Sequence, residues 1–252
     1  MSMMGMTATL IFIYFTCIWF TVILLSKVKH KKIVNISFVV LNCVFFLGLN
    51  IEVFRLRNTT SYTFMTFNNI SPFTFTFMPF IFLFRKKVKE CFLAAISFLS
   101  IGMFVAMLVT PQYAYIFSFN NEARMDFLFD ALCHLNCSLF GIYLIASGQV
   151  KITIKNLISS TIFMYSVITF GVIGNYIFHL NNFGMSPYGG YSIYFIDIFE
   201  EYWATLLAYY IGVFLVLSIG FFANALLNYI SGNQTAFKEV KEEKRFFVEE
   251  IQ

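Results

Sequence analysis

Charge is what this chain has least of. Of its 252 residues only 12% are Asp, Glu, Lys or Arg, about half the roughly 25% of a water-soluble domain. A soluble globular protein of this length is therefore excluded. The net charge of +4 does not point to nucleic acid, because the charges sit in short clusters between apolar runs. No cysteine pair has zinc-type or disulfide-framework spacing. Cys17, Cys43, Cys91, Cys133 and Cys137 all lie in or beside apolar stretches, as reduced packing residues do. The N-terminus lacks the basic n-region and small-residue cleavage site of a secretory signal. The chain has no nucleotide-binding glycine loop, H-E-x-x-H, G-x-S-x-G or C-x-x-C, and no repeat or low-complexity tract. No lysine lies between Trp203 and Ile230, which excludes a retinal Schiff base on the last apolar segment. The basic loops are too short for the partner surface of a signalling receptor.

Hydrophobic residues make up 59% of the chain, with 35 Phe among them. A bilayer-spanning helix needs about 20 mostly apolar residues. Seven segments qualify: Thr7–Leu25, Ile33–Phe54, Phe64–Phe84, Cys91–Val109, Phe127–Ser147, Leu157–Leu180 and Trp203–Ile230. The third carries Asn68, Asn69, Pro72 and Pro79, which predicts a kink or unwinding at its start. Loops one, three and five and the C-terminal tail hold fourteen of the 17 Lys and Arg residues. By the positive-inside rule the N-terminus is outside and the C-terminus cytoplasmic. The expected fold is all-α: a polytopic seven-transmembrane-helix bundle over residues 1–230 in the cell membrane, then a cytoplasmic tail over 231–252. Within that tail Phe237, Val240, Phe247 and Ile251 are spaced for one amphipathic helix. The segment Phe237–Ile251 could lie on the inner membrane surface or dock a protein partner.

Orientation sets the depth of each polar group. Asn50 and Glu52 fall near the outer end of the second segment, Thr74 and Thr76 in the outer half of the third. Asp130 and His134 are one turn apart on the outer half of the fifth, with Cys137 and Gly141 on the same stripe. Asn175 and His179 close the sixth, and Glu200 and Glu201 precede the seventh. Ionisable groups in lipid are costly and mark functional sites or internal pairs. The expected ligand pocket is thus in the outer half, formed by Glu52, Asp130, His134, Asn175, His179, Glu200 and Glu201 under two aromatic-rich outer loops. The inner half reads as nearly all Leu, Ile, Val and Phe. Asn42 reads as helix–helix glue, and Ala204, Ala208 and Gly212 as a close-packing face. Cys133 points about 100° away from His134 around a helix. Cys137 can approach the imidazole, but a buried thiol is usually inert.

Four stretches carry a family resemblance: "SPFTFTF" (71–77), "TPQYAYIF" (110–117), "FLFDALCHLNCSLFGIYLI" around His134, and "GNYIFH" (174–179) followed by "IDIFEEYW". In this order they resemble the bacterial YwaF family of integral membrane proteins. That family shares its fold with a eukaryotic transmembrane acyltransferase acting on ether phospholipids. The resemblance implies the fold and a lipid-binding pocket. Where the family pattern has His and Cys after the proline, this chain has Thr74 and Thr76. Two classes of function follow. In the first the protein holds a membrane lipid or other amphiphile without catalysis, alone or as a transporter or complex subunit. In the second it is a membrane-embedded acyltransferase or lipid hydrolase. His134 would then be the base and Thr74 or Thr76 the nucleophile, because a hydroxyl needs an activating base beside it. Neither reading requires a cofactor or a metal.

Overall fold

The computed structural model describes residues 3–57, 70–109, 125–180, 182–185, 187 and 201–234. Among them there is no strand. Seven α-helices follow in order: α1 (Met3–Ile23), α2 (Lys31–Arg57), α3 (Ile70–Phe77), α4 (Lys86–Val109), α5 (Met125–Ala146), α6 (Ile154–Phe178) and α7 (Tyr202–Ile230). A helix satisfies every backbone N–H and C=O within its own segment, the condition that hydrocarbon imposes. Five of them, α2, α4, α5, α6 and α7, are long and apolar enough to cross a bilayer. The 22 residues of α5 rise about 33 Å, against a hydrocarbon core of about 30 Å. The protein is a membrane-embedded helical bundle. Its outer surface is apolar, with Phe170 81% and Leu83 79% exposed, as side chains facing lipid are.

Helices consecutive in the chain alternate in direction, and individual contacts fix this. On α5, Gly141 lies against Ile96 of α4 and Ser138 against Ser100, so the two helices are antiparallel. Gly102 meets Val216 and Gly220 meets Phe98, so α7 runs against α4. Lys31 reaches Ser147 while Asn136 reaches Phe38, so α2 runs against α5. Tyr14 bonds Ser138 and Phe75 packs on His134, with Met78 against Cys137. Val22 of α1 lines one cleft with Ala146 of α5, so α1 and α3 both run with α5. Tyr165 pairs with Tyr210 and Tyr176 with Tyr202, setting α6 against α7. The basic segments around residues 26–32, 85–89 and 148–155 therefore share one end with residues 231–234. We call this the basic end and its opposite the far end.

The central helix is α5, which packs against α1, α2, α3, α4 and α7, whereas α6 packs against α4 and α7. Lipid is as apolar as leucine, so helices associate through close packing and hydrogen bonds rather than a hydrophobic drive. Glycine supplies the closest approaches. A Cβ on Gly220 would lie 1.7 Å from the Phe98 carbonyl oxygen, and one on Gly141 2.6 Å from that of Ile96. The tight face of α7 is thus centred on Gly220. The expected Ala204–Ala208–Gly212 stripe is half-buried at its border.

The ends have local causes. At α5, Gly148 takes φ 73° and donates to Ile145, while Gln149 donates to Leu144, both at 2.9 Å. This is the paired 5→2 and 6→1 closure that favours glycine. At α6, Thr153 caps the Asn156 amide at 3.2 Å. The third segment departs from expectation. Residues 64–69 lie outside the described residues, and α3 gives way at Met78–Phe82 to a 3₁₀ turn holding Pro79. Proline cannot donate to the carbonyl four residues back, so the helix changes pitch there and leaves the Phe75 oxygen without its helical partner.

Candidate functional site

The missing bond at Phe75 is replaced from another helix. Asn42 of α2 donates its side-chain amide to the Phe75 oxygen at 2.8 Å, and both residues are fully buried. The Asn42 carbonyl in turn lies 3.5 Å from the Cys137 sulfur, which is 3.6 Å from that of Met78. Asn136 donates to the Phe38 oxygen at 3.0 Å. These residues tie α2, α3 and α5 together at mid-depth. Asn42 acts as glue between helices, and Pro79, one turn along the chain from Phe75, dictates its partner. Cys137 is directed toward Asn42 and Met78.

One turn toward the far end lies the Asp130–His134 pair. The His134 side chain is 9% exposed and that of Asp130 28%. His134 Nδ1 is 2.9 Å from the Asp130 backbone oxygen and 3.4 Å from its carboxylate. A carbonyl oxygen can only accept, so Nδ1 is the donor in this contact. The imidazole meets the Phe75 ring edge-on at 4.9 Å. An acid and a base thus sit at the edge of the bundle interior, the acid partly open and the base closed in.

The two threonines flank Phe75. Thr74 donates to the Ile70 oxygen and Thr76 to the Pro72 oxygen, each at 2.9 Å. A hydroxyl has one proton, and each is already directed to the carbonyl four residues back. Thr74 is buried and Thr76 half-buried.

The other predicted pocket residues have different surroundings. Glu52 is held by Arg55, with Nε at 2.9 Å and the second guanidinium contact at 2.8 Å. Asn175 is fully buried and works as a clasp. Its amide donates to the oxygens of Asn182 and Met185 at 3.0 and 2.8 Å, and its own oxygen accepts from the Asn182 backbone at 2.6 Å. It thereby folds residues 182–185 back onto α6, where the Phe183 ring fits over Gly171. His179 ends α6 in the left-handed region with φ 53° and is exposed. Glu201 is the exposed residue before α7, and its backbone oxygen accepts from Thr205. His134 thus turns toward α3, while Asn175 turns toward residues 182–185. Glu200, the outer loops 110–124 and 188–200, and the tail segment 237–251 lie outside the described residues.

The basic-end half is not the aliphatic region expected. A polar spine runs through it. Tyr14 donates to Ser138 at 2.6 Å, and Ser138 donates to the Ser100 oxygen. Asn224 reaches Ser97 and Ser100, each at 3.2 Å. Asn228 donates to the Asn224 oxygen at 2.9 Å, and Asn233 donates to Ala146 and Asn228. Most of these buried polar groups bond each other or the backbone, which makes them acceptable in lipid, while the Asn224 side-chain oxygen is buried with no partner among the described residues. The repeat of Asn224 and Asn228 four residues apart was the available signal, but no charge or histidine marks the spine. At its mouth is a cleft of about 540 Å³ between the end of α1, the start of α2 and the ends of α5 and α7. Among the described residues no group of three His, Cys, Asp or Glu side chains could hold a metal.

Compared with protein-family models, curated proteins and solved structures, the chain matches none.

Proposed function

We propose that this is a cell-membrane protein of seven spans, YwaF-like in fold, with its N-terminus outside and C-terminus in the cytoplasm. It holds a lipid or other amphiphile against Asp130 and His134 in the outer half of the bundle, without catalysis. Five long apolar helices, the alternating helix directions, and basic residues gathered at one end support the membrane reading. The observation that carries the ligand reading is the half-open pair itself. Asp130 is 28% exposed beside a buried imidazole, in a bundle whose neighbouring amides are engaged with backbone carbonyls. An ionisable pair inside a membrane protein marks a ligand or proton site by default. The polar end of an amphiphile suits it, because a carboxylate accepts hydrogen bonds and an imidazole offers a ring N–H as donor.

Binding is preferred to acyl transfer because both threonine protons are directed at carbonyls of their own helix. A nucleophile needs its proton directed at the base. The test is the set of amphiphiles that copurify with the protein. Wild type is expected to carry a bound species that Asp130→Asn plus His134→Ala has lost, at unchanged thermal stability. An identical lipid complement in both proteins overturns the proposal.

A further inference from the structure

We propose that the basic-end cleft binds the phosphate of an anionic membrane lipid, with Lys27 and Lys31 as its cationic partners. This rests on the membrane reading above but not on the Asp130–His134 site. The cleft holds about 540 Å³ and its wall includes both lysines, Ser26 and Gln234, with no acidic residue among those that line it. That space is ample for a phosphate and the start of a glycerol backbone.

The charge balance favours an anion. The ends of α1, α5 and α7 converge here, and each helix C-terminus carries about half a negative charge. Lys31 answers this at α5, donating to the Ser147 carbonyl, and Asn233 caps the Ala146 carbonyl. The start of α2 contributes a positive helix end at Lys31. Lys27 is left over: exposed, with no side-chain hydrogen bond or ion pair among the described residues.

A lipid is favoured over a soluble phosphate by what borders the lysines. Val22 and Ile23 line the same cleft, and Ile23 at the end of α1 and the following Leu24 are 43% and 56% exposed. An acyl chain can lie along that apolar face while its phosphate reaches Lys27. Basic pockets between helices at the cytoplasmic surface recognise anionic headgroups by this geometry.

The experiment uses the full chain in detergent micelles. Short-chain phosphatidylglycerol is titrated against phosphatidylcholine of equal chain length, and the bound fraction is read by native mass spectrometry. Wild type should prefer phosphatidylglycerol. Lys27→Gln should weaken it about fivefold and Lys27→Gln with Lys31→Gln about 25-fold, with each surface cation worth about 1 kcal/mol. Lys31 also caps α5, so the decisive variant is Lys27→Gln, whose side chain supports nothing else. Lys29→Gln removes the same charge outside the cleft and should change nothing. Equal retention of the two lipids, or equal loss in Lys29→Gln and Lys27→Gln, overturns the proposal. Displacement of the lipid by millimolar inorganic phosphate assigns the site to a soluble anion and also overturns it. Binding should persist in Asp130→Asn; loss there places the lipid at the other site and refutes this one.

Discussion

Replacing Asn42 by leucine tests the link between Pro79 and the bond that stands in for its missing amide. The substitution keeps volume but removes the only side-chain donor to the Phe75 oxygen among the described residues, a 2.8 Å bond between fully buried residues. A buried acceptor left alone costs about 1–3 kcal/mol. Side-chain hydrogen bonds between membrane helices average about 0.6 kcal/mol and reach about 1.7. The loss expected for Asn42→Leu is therefore about 1–2 kcal/mol, the upper part of the membrane range, because Pro79 removes the helical alternative. Pro79→Ala restores an N–H that can return to the Phe75 oxygen. In that background Asn42→Leu should cost less than about 0.5 kcal/mol, giving a coupling near 1 kcal/mol of the size seen between directly interacting groups. Effects of proline on the unfolded chain cancel in such a cycle. The assay is reversible unfolding in mixed detergent and SDS micelles, followed by far-ultraviolet circular dichroism. An equal cost of Asn42→Leu with and without Pro79 would refute the reasoning.

Two further predictions concern packing and topology. Gly220→Ala should prevent recovery of monodisperse protein, because its Cβ would fall 1.7 Å from the Phe98 oxygen of α4 and backbone cannot yield cheaply. Gly232→Ala meets nothing within 4 Å but must keep φ +67°, so it should cost only about 1–2 kcal/mol; similar recovery of both variants would sink the helix-contact argument. A single cysteine at Lys86, in a chain cleared of its own five, should react with an impermeant maleimide only from the cytoplasmic side. Labelling of that cysteine from outside intact cells would reverse the orientation proposed.

Helix positions and directions were legible because lipid demands a long run of one chemical character, and composition records that directly. The clustering of Lys and Arg at alternate loops foretold the shared basic end. The five helices able to cross a bilayer lie where apolar runs lie, although α4 begins at Lys86 rather than Cys91. The site was legible only in part. Asp130 and His134, four residues apart, had to share a face of one helix. That Asn175 would serve residues 182–185 could not be read, since its partners are backbone oxygens that no side-chain pattern announces. The same holds for Thr74 and Thr76, whose hydroxyls turn to their own helix.

The sequence by itself determined that the chain is helical, apolar outside and basic at one end, because those properties are sums over residues along a single segment. Tertiary structure alone decided which helices meet. It set Gly220 and Gly141 against the α4 backbone, gave Asn42 to the carbonyl that Pro79 leaves open, and brought Lys27 and Lys31 to one cleft. The physical reason is that such contacts depend on the rotation and depth of two helices at once. In lipid that choice is made by a few close approaches and hydrogen bonds, which the hydrophobic pattern of either helix does not encode.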